Sequence, residues 1–132
     1  MKKIPQALII LLFVFLFLNG CKKADEVVSS GPTSSAPTAP TNPFPYSGAT
    51  NISGFVTVRW DASSVTSGDT ARYDVYVGTS SNPTNLVASD RLNTAADIGV
   101  LGPNTTYYWK VIAKNTHSQS TSSAVWNFKT AP

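Results

Sequence analysis

Leu101-Gly102-Pro103-Asn104-Thr105-Thr106-Tyr107-Tyr108-Trp109-Lys110-Val111-Ile112-Ala113-Lys114-Asn115 is the stretch that decides the fold. It opens on a Gly-Pro-Asn turn and runs on as an alternation. Tyr107, Trp109, Val111 and Ala113 fall on one side, Tyr108, Lys110, Ile112 and Lys114 on the other. A two-residue period is that of a β-strand with one face in a core. Working outward, Val56, Val58 and Trp60 alternate with Thr57 and Arg59, and Tyr73, Val75 and Val77 alternate with Asp74 and Tyr76. A last strand around residues 124–129 sets Trp126 and Phe128 on one face, and weaker strands are expected at 86–88 and 94–98. Gly, Pro and Asn supply turns at Ser67-Gly68-Asp69, Ser81-Asn82-Pro83 and Gly102-Pro103-Asn104. From residue 46 onward no segment carries the helical period, so the pattern predicts an all-β sandwich. Its core is expected to hold Trp60, Tyr73, Val75, Leu101, Tyr107, Trp109, Val111, Trp126 and Phe128.

Leu101, Pro103, Thr105, Tyr107, Val111, Ala113 and Asn115 reproduce the spacing L-x-P-x-T-x-Y-x-x-x-V-x-A-x-N, and on these residues the chain resembles a fibronectin type III domain across its E–F loop and F strand. Trp60 stands where that family keeps its strand-B tryptophan, Tyr73-Asp74-Val75-Tyr76-Val77 is similar to strand C, and Val125-Trp126-Asn127-Phe128-Lys129-Thr130 looks like strand G of bacterial members. The resemblance covers nearly all of residues 46–132. It implies an immunoglobulin-like sandwich of seven antiparallel strands, with Tyr107 bonding back to the backbone near the E–F turn. A single cysteine, Cys21, excludes an internal disulfide, so Trp60 and Trp109 must join the sheets by packing.

The N-terminus reads as an address. Lys2 and Lys3 precede an unbroken apolar run over residues 7–18, then Asn19-Gly20-Cys21. As a helix that run covers about 18 Å, short of the ~30 Å of a bilayer core, which makes it an export signal rather than a lasting span. Leu18-Asn19-Gly20-Cys21 resembles the lipobox of bacterial lipoproteins. The resemblance implies that residues 1–20 are removed and that Cys21 becomes a lipidated first residue, bearing palmitate-like acyl chains that attach it to a membrane. Each buried methylene contributes about 0.8 kcal/mol, and lasting attachment takes more than one chain. Lys22 after the cysteine resembles the sorting signal for the outer membrane. Asp25-Glu26 resembles an acidic tag for the cell surface, although two acidic residues beside an anchor are more often solvated linker charge.

Residues 21–45 are rich in Ser, Thr, Ala and Pro, with Pro32, Pro37, Pro40, Pro43 and Pro45 closely spaced, and are expected to form an extended spacer. The domain is expected over 46–132. In the spacer's Ser and Thr, and in Asp69-Thr70-Ala71, a resemblance to O-glycosylation sites is too short to weigh.

Composition excludes more than it assigns. In 132 residues, 13% charged, there is room for one modest domain. The net charge of +3 falls to about +1 without Lys2 and Lys3, no basis for nucleic-acid binding. The only histidine, His117, falls in the expected F–G loop beside Ser118 and Ser120, where neighbouring residues lack the held geometry of a catalytic triad. Asp61, Asp69, Asp74, Asp90 and Asp97 are scattered, with no calcium-loop, phosphate-loop or dinucleotide spacing. No catalytic, metal or cofactor site is expected.

One surface invites a function. The outward residues Tyr108, Lys110 and Ile112 of strand F, with Tyr76 of strand C and Lys129 of strand G, form an aromatic and aliphatic strip edged with lysines. Such a strip suits sugar stacking or a protein contact; it also suits plain cross-strand pairing that stabilises the sheet. The sequence therefore predicts a non-enzymatic, envelope-anchored module binding protein or polysaccharide through the C-F-G face or the B–C and F–G loops. The alternative is a structural spacer without a specific ligand.

Overall fold

The computed structural model describes residues 33–132. Nine strand segments follow one another without a helix among the described residues: β1 (Thr41–Phe44), β2 (Ala49–Ile52), β3 (Phe55–Asp61), β4 (Arg72–Gly78), β5 (Asn85–Arg91), β6 (Ala95–Val100), β7 (Thr106–Lys114), β8 (Ser120–Ser122) and β9 (Trp126–Thr130). They fill seven strand positions, since the first and last strands are each broken in two. The smaller sheet has the order β1-β3-β6 and the larger β2-β9-β7-β4-β5, with β8 prolonging β9's side of β7. All pairings are antiparallel except β2 with β9, where the first strand has crossed to the larger sheet and runs parallel to the last. Ser123 bridges the break in the last strand, accepting the Val111 N–H on its hydroxyl at 3.0 Å and donating its own N–H to the Val111 carbonyl at 2.8 Å.

The alternation in the sequence is the alternation in the structure. In β3, in β4 and in β7 from Trp109 on every second residue is buried, and Val58, Val75, Trp109, Val111, Ala113 and Phe128 are fully enclosed between the sheets. Tyr107, expected in the core, is partly buried and packs against it. Trp60 of the smaller sheet meets Tyr73 of the larger edge-on at 5.4 Å, and Trp109 meets Trp126 at 4.7 Å. Rings at these separations contribute beyond their buried area. Among the described residues the indole N–H groups of Trp60 and Trp109 have no partner, so these residues stabilise through shape and area while carrying a desolvation cost of about 1–3 kcal/mol each.

The lower end is closed by a hydrogen-bonded corner. Tyr107 accepts the Gly102 N–H on its hydroxyl at 2.9 Å, and Leu101, buried, donates its N–H to Gly54 O at 2.9 Å. Thr130 donates its hydroxyl to Gly102 O at 2.7 Å and accepts the Thr105 N–H at 2.9 Å. Asn104 at the turn takes φ +49°, a left-handed conformation that asparagine tolerates.

The expected spacer is corrected from residue 34 onward. Residues 41–44 pair with β3, Pro37, Pro40 and Pro45 are buried, and the described residues 33–132 belong to one compact unit. Thr38 exchanges two hydrogen bonds with Ser64, N–H to carbonyl at 3.0 Å and hydroxyl from N–H at 2.8 Å. Proline misleads here because an edge strand tolerates a residue without an N–H donor, and β1 is such an edge.

Candidate functional site

The outward face of the larger sheet gathers all five residues of the expected strip. Along β7, Tyr108, Lys110, Ile112 and Lys114 project opposite Gly78, Tyr76, Asp74 and Arg72 of β4. On the other side, Tyr108 faces Asn127 and Thr106 faces Lys129 of β9, while Ile112 faces Ser122 of β8. Tyr76, Tyr108, Lys110 and Ile112 are half-buried and Lys129 is exposed. Leu86 of β5, opposite Tyr76, adds an exposed apolar residue that the sequence reading did not include.

The charges on this face are unevenly matched. Lys114 holds Asp74 at 2.8 Å and Arg72 holds Asp90 at 2.9 Å. Burial raises the Asp74 carboxyl, but the Lys114 ammonium, the Asp90 N–H and the Ser89 hydroxyl together outweigh it and keep the group below its ordinary value. Lys110 sits 5.6 Å above the Tyr76 ring and 3.5 Å from the Asn82 side-chain oxygen. Among the described residues neither Lys110 nor Lys129 has a carboxylate within ion-pair distance. The loop after β4 also leans on this face: a Cβ at Gly78 would lie in ordinary contact with buried Pro83, at 3.7 Å.

A second cluster, which the sequence reading missed, joins the loops before β4 and after β7. Asp69, its side chain only 3% exposed, accepts on one oxygen the Thr116 hydroxyl at 2.6 Å, the Thr116 N–H at 3.0 Å and the Thr70 N–H at 2.7 Å. The other oxygen accepts the Ser34 hydroxyl at 3.3 Å and lies 3.2 Å from His117 Nδ1. Thr116 above all, through hydroxyl and N–H, holds the Asp69 carboxyl well below the usual carboxylate range. Asn115, buried, has Ser34 Oγ, Ser35 O and Gln119 Oε1 as acceptors around its two Nδ2–H groups at 3.1, 3.0 and 2.8 Å, while Gln119 donates to Ser34 O at 3.0 Å. The chain's own segment 34–38 thus straps this end.

The strap leaves a depression of about 110 Å³ lined by Ser34, Thr66, Ser67, Gly68, Asp69 and His117. It contains an Asp-His pair, but neither Ser118 nor Ser120 joins it, and among the described residues His117 Nε2 has no hydrogen-bond partner. A nucleophile and an oxyanion donor set are what such a pair needs to act on an acyl group. No group of three metal-ligating side chains occurs among the described residues.

A third surface lies on the opposite sheet. Phe55 and Val100, paired across β3 and β6, are 76% and 75% exposed. They border an open groove of about 230 Å³ lined by Phe55, Val56, Thr57, Asp97 and Gly99. Thr57 hydrogen-bonds Asp97 across the strands. The outward direction of Phe55 was readable, since it precedes the buried Val56 in a two-residue period. Cys21 and Asp25-Glu26 lie outside the described residues.

With this geometry in hand, comparisons place the chain among known domains. A family model described as the fibronectin type III domain matches residues 38–129. An Fn3-like protein from Clostridium thermocellum superposes with a TM-score of 0.56 at 24% identity, covering 74% of this chain and 97% of that one. The fibronectin type-III domain of human fibronectin type III domain containing protein 3 gives 0.52 at 28% identity, over 79% and 93% of the two chains. An α-L-rhamnosidase from Dictyoglumus thermophilum gives 0.59 at 17% identity over 74% of this chain, a likeness that occupies 13% of the rhamnosidase. No match was found among curated proteins.

Proposed function

The chain belongs to the fibronectin type III domain family, and on that premise we propose that it is a membrane-anchored, non-catalytic binding module of a bacterial cell envelope. Domains of this family commonly act as interaction or spacer modules, and fold by itself does not choose between the two. The observation that carries the binding reading is the gathering of Tyr76, Tyr108, Lys110, Ile112 and Lys129 on one outward sheet face. Two tyrosines on a rigid sheet offer flat contact area with few torsions to freeze. The loops before β4 and after β7 are the weaker candidate, since segment 34–38 already occupies much of their hydrogen-bonding capacity.

The anchor in this reading is Cys21, lipidated after removal of residues 1–20, with the outer membrane as destination. The 12 residues between Cys21 and Ser34 would, at ~3.1 Å per step if extended, give a reach of about 40 Å. Replacing Cys21 by Ala and following palmitate incorporation and membrane fractionation tests this half: loss of both supports it, and retention of both contradicts it.

The spacer reading has one observation in its favour. Lys110 already covers the Tyr76 ring, the arrangement expected of residues that stabilise their own sheet. Retention of the full chain by insoluble polysaccharides and envelope extracts, compared with a folded Tyr76→Ala, Tyr108→Ala variant, decides between them. Retention lost in the variant supports the face, equal retention moves the contact elsewhere on the domain, and no retention by either leaves the spacer.

A further inference from the structure

We infer that the Tyr108–Asn127 pair, set between Lys110 and Lys129, binds a polysaccharide whose sugars carry carboxylate or sulfate groups. The inference rests on the binding reading above and names the chemistry of its ligand. Tyr108 faces Asn127 directly across β7 and β9, and its other flank is Gly78, over which Pro83 lies, so the ring's open side is toward β9. Lys110 stands two residues along β7, its ammonium over Tyr76, and Lys129 two residues beyond Asn127 on β9, opposite Thr106, so that a lysine is rooted about 7 Å along the strand in each direction from the Tyr108–Asn127 pair.

Charge complementarity selects the ligand. Every side-chain carboxylate of the described residues is either engaged or elsewhere. Asp74 and Asp90 are held by Lys114 and Arg72, Asp69 is enclosed by the strap, and Asp61 and Asp97 lie on the smaller sheet. The surface around Tyr108 therefore carries two lysines with no side-chain carboxylate of its own among the described residues. The Asn127 side-chain amide has no hydrogen-bond partner among the described residues and is a free donor and acceptor beside the ring. A flat ring, an amide and two ammonium groups match a sugar that stacks by its apolar face while its anionic substituent meets a lysine. A neutral sugar would leave Lys129 unanswered and give Lys110 no anion beyond its contacts with Tyr76 and Asn82. An acidic peptide would answer the lysines without using the ring.

The test uses the full chain, purified in detergent, on beads bearing polygalacturonate, chondroitin sulfate, dextran or polyglutamate. Retention by polygalacturonate, chondroitin sulfate or both, but not by dextran, is expected, and the bead that retains distinguishes carboxylate from sulfate. Binding is expected to weaken at least about tenfold in a Lys110→Gln, Lys129→Gln variant and, with both lysines intact, in Tyr108→Ala. It is also expected to fall as salt rises toward 1 M, where screening shortens to about 3 Å. Thermal melts confirm that each variant is folded, and Lys129→Gln alone, at an exposed position, keeps the test meaningful if Lys110→Gln weakens the sheet. Equal retention by dextran overturns the acidic ligand and leaves the binding module standing. Polyglutamate retention that survives Tyr108→Ala overturns the sugar in favour of an acidic protein. No retention by any bead overturns the acidic-sugar ligand, while the binding module itself falls only if the envelope extracts retain nothing either.

Discussion

Thr116 donates twice to one oxygen of Asp69, its hydroxyl at 2.6 Å and its backbone N–H at 3.0 Å, across 47 residues of sequence. The loop after β7 is thereby fixed to the loop before β4, and Ser34 joins both through Asp69 and Asn115. Because the carboxyl titrates lower in the folded chain than in the unfolded one, its contribution is whole at neutral pH. It fades as pH falls below about 4, the unfolded value, toward the lower folded value. Asp69→Asn is therefore expected to lower the melting temperature at pH 7 and to have a smaller effect at pH 3. Melts of both proteins across that range check it; a difference independent of pH contradicts it.

The tryptophans make a separate prediction. Trp60→Ala and Trp109→Ala are each expected to cost about 3–5 kcal/mol, a large share of a small domain's stability. Trp60→Phe is expected to cost far less than Trp60→Ala, because the indole N–H that it removes has no partner to lose and the ring facing Tyr73 is kept. Urea unfolding of the three variants measures this.

Tyr107→Phe isolates the corner. It removes the acceptor of the Gly102 N–H while keeping the ring stacked 6.1 Å from Phe128. The expected loss is about 1–3 kcal/mol if that N–H is left unpaired, smaller if water reaches it. Faster amide exchange at Gly102, with exchange in β4 unchanged relative to global stability, is the signature of a local effect.

Phe55→Ser with Val100→Thr probes the opposite sheet. Both side chains are mostly in water, so stability is expected to stay within about 0.5 kcal/mol. Retention on the polysaccharide beads is expected to be unchanged as well. Loss of retention would move the contact to the groove beside Asp97.

What was legible in the sequence was whatever repeats every second residue. The alternation in 107–114 and in 55–61 predicts the buried set Val58, Trp60, Trp109 and Val111 because a strand between core and water has no other periodicity. It also places Tyr76, Tyr108 and Lys129 on one face. The strap was not legible. Ser34, Asp69 and Thr116 are polar, unpatterned and far apart in the chain, and proline-rich composition around them reads as spacer whether or not the backbone finds an edge to pair with. Nor does alternation show that Lys110 folds over Tyr76 or that Pro83 returns over Gly78, since both depend on long-range packing.

The central claim is that the outward face of β7, β4 and β9 is the contact surface. Amide chemical shifts of the full chain, followed while polygalacturonate is added, test it most directly. The account predicts the largest changes at Tyr108, Lys110, Asn127 and Lys129, with the strapped loops still. Changes confined to residues 66–70 and 115–119, or no change at any residue, would contradict it.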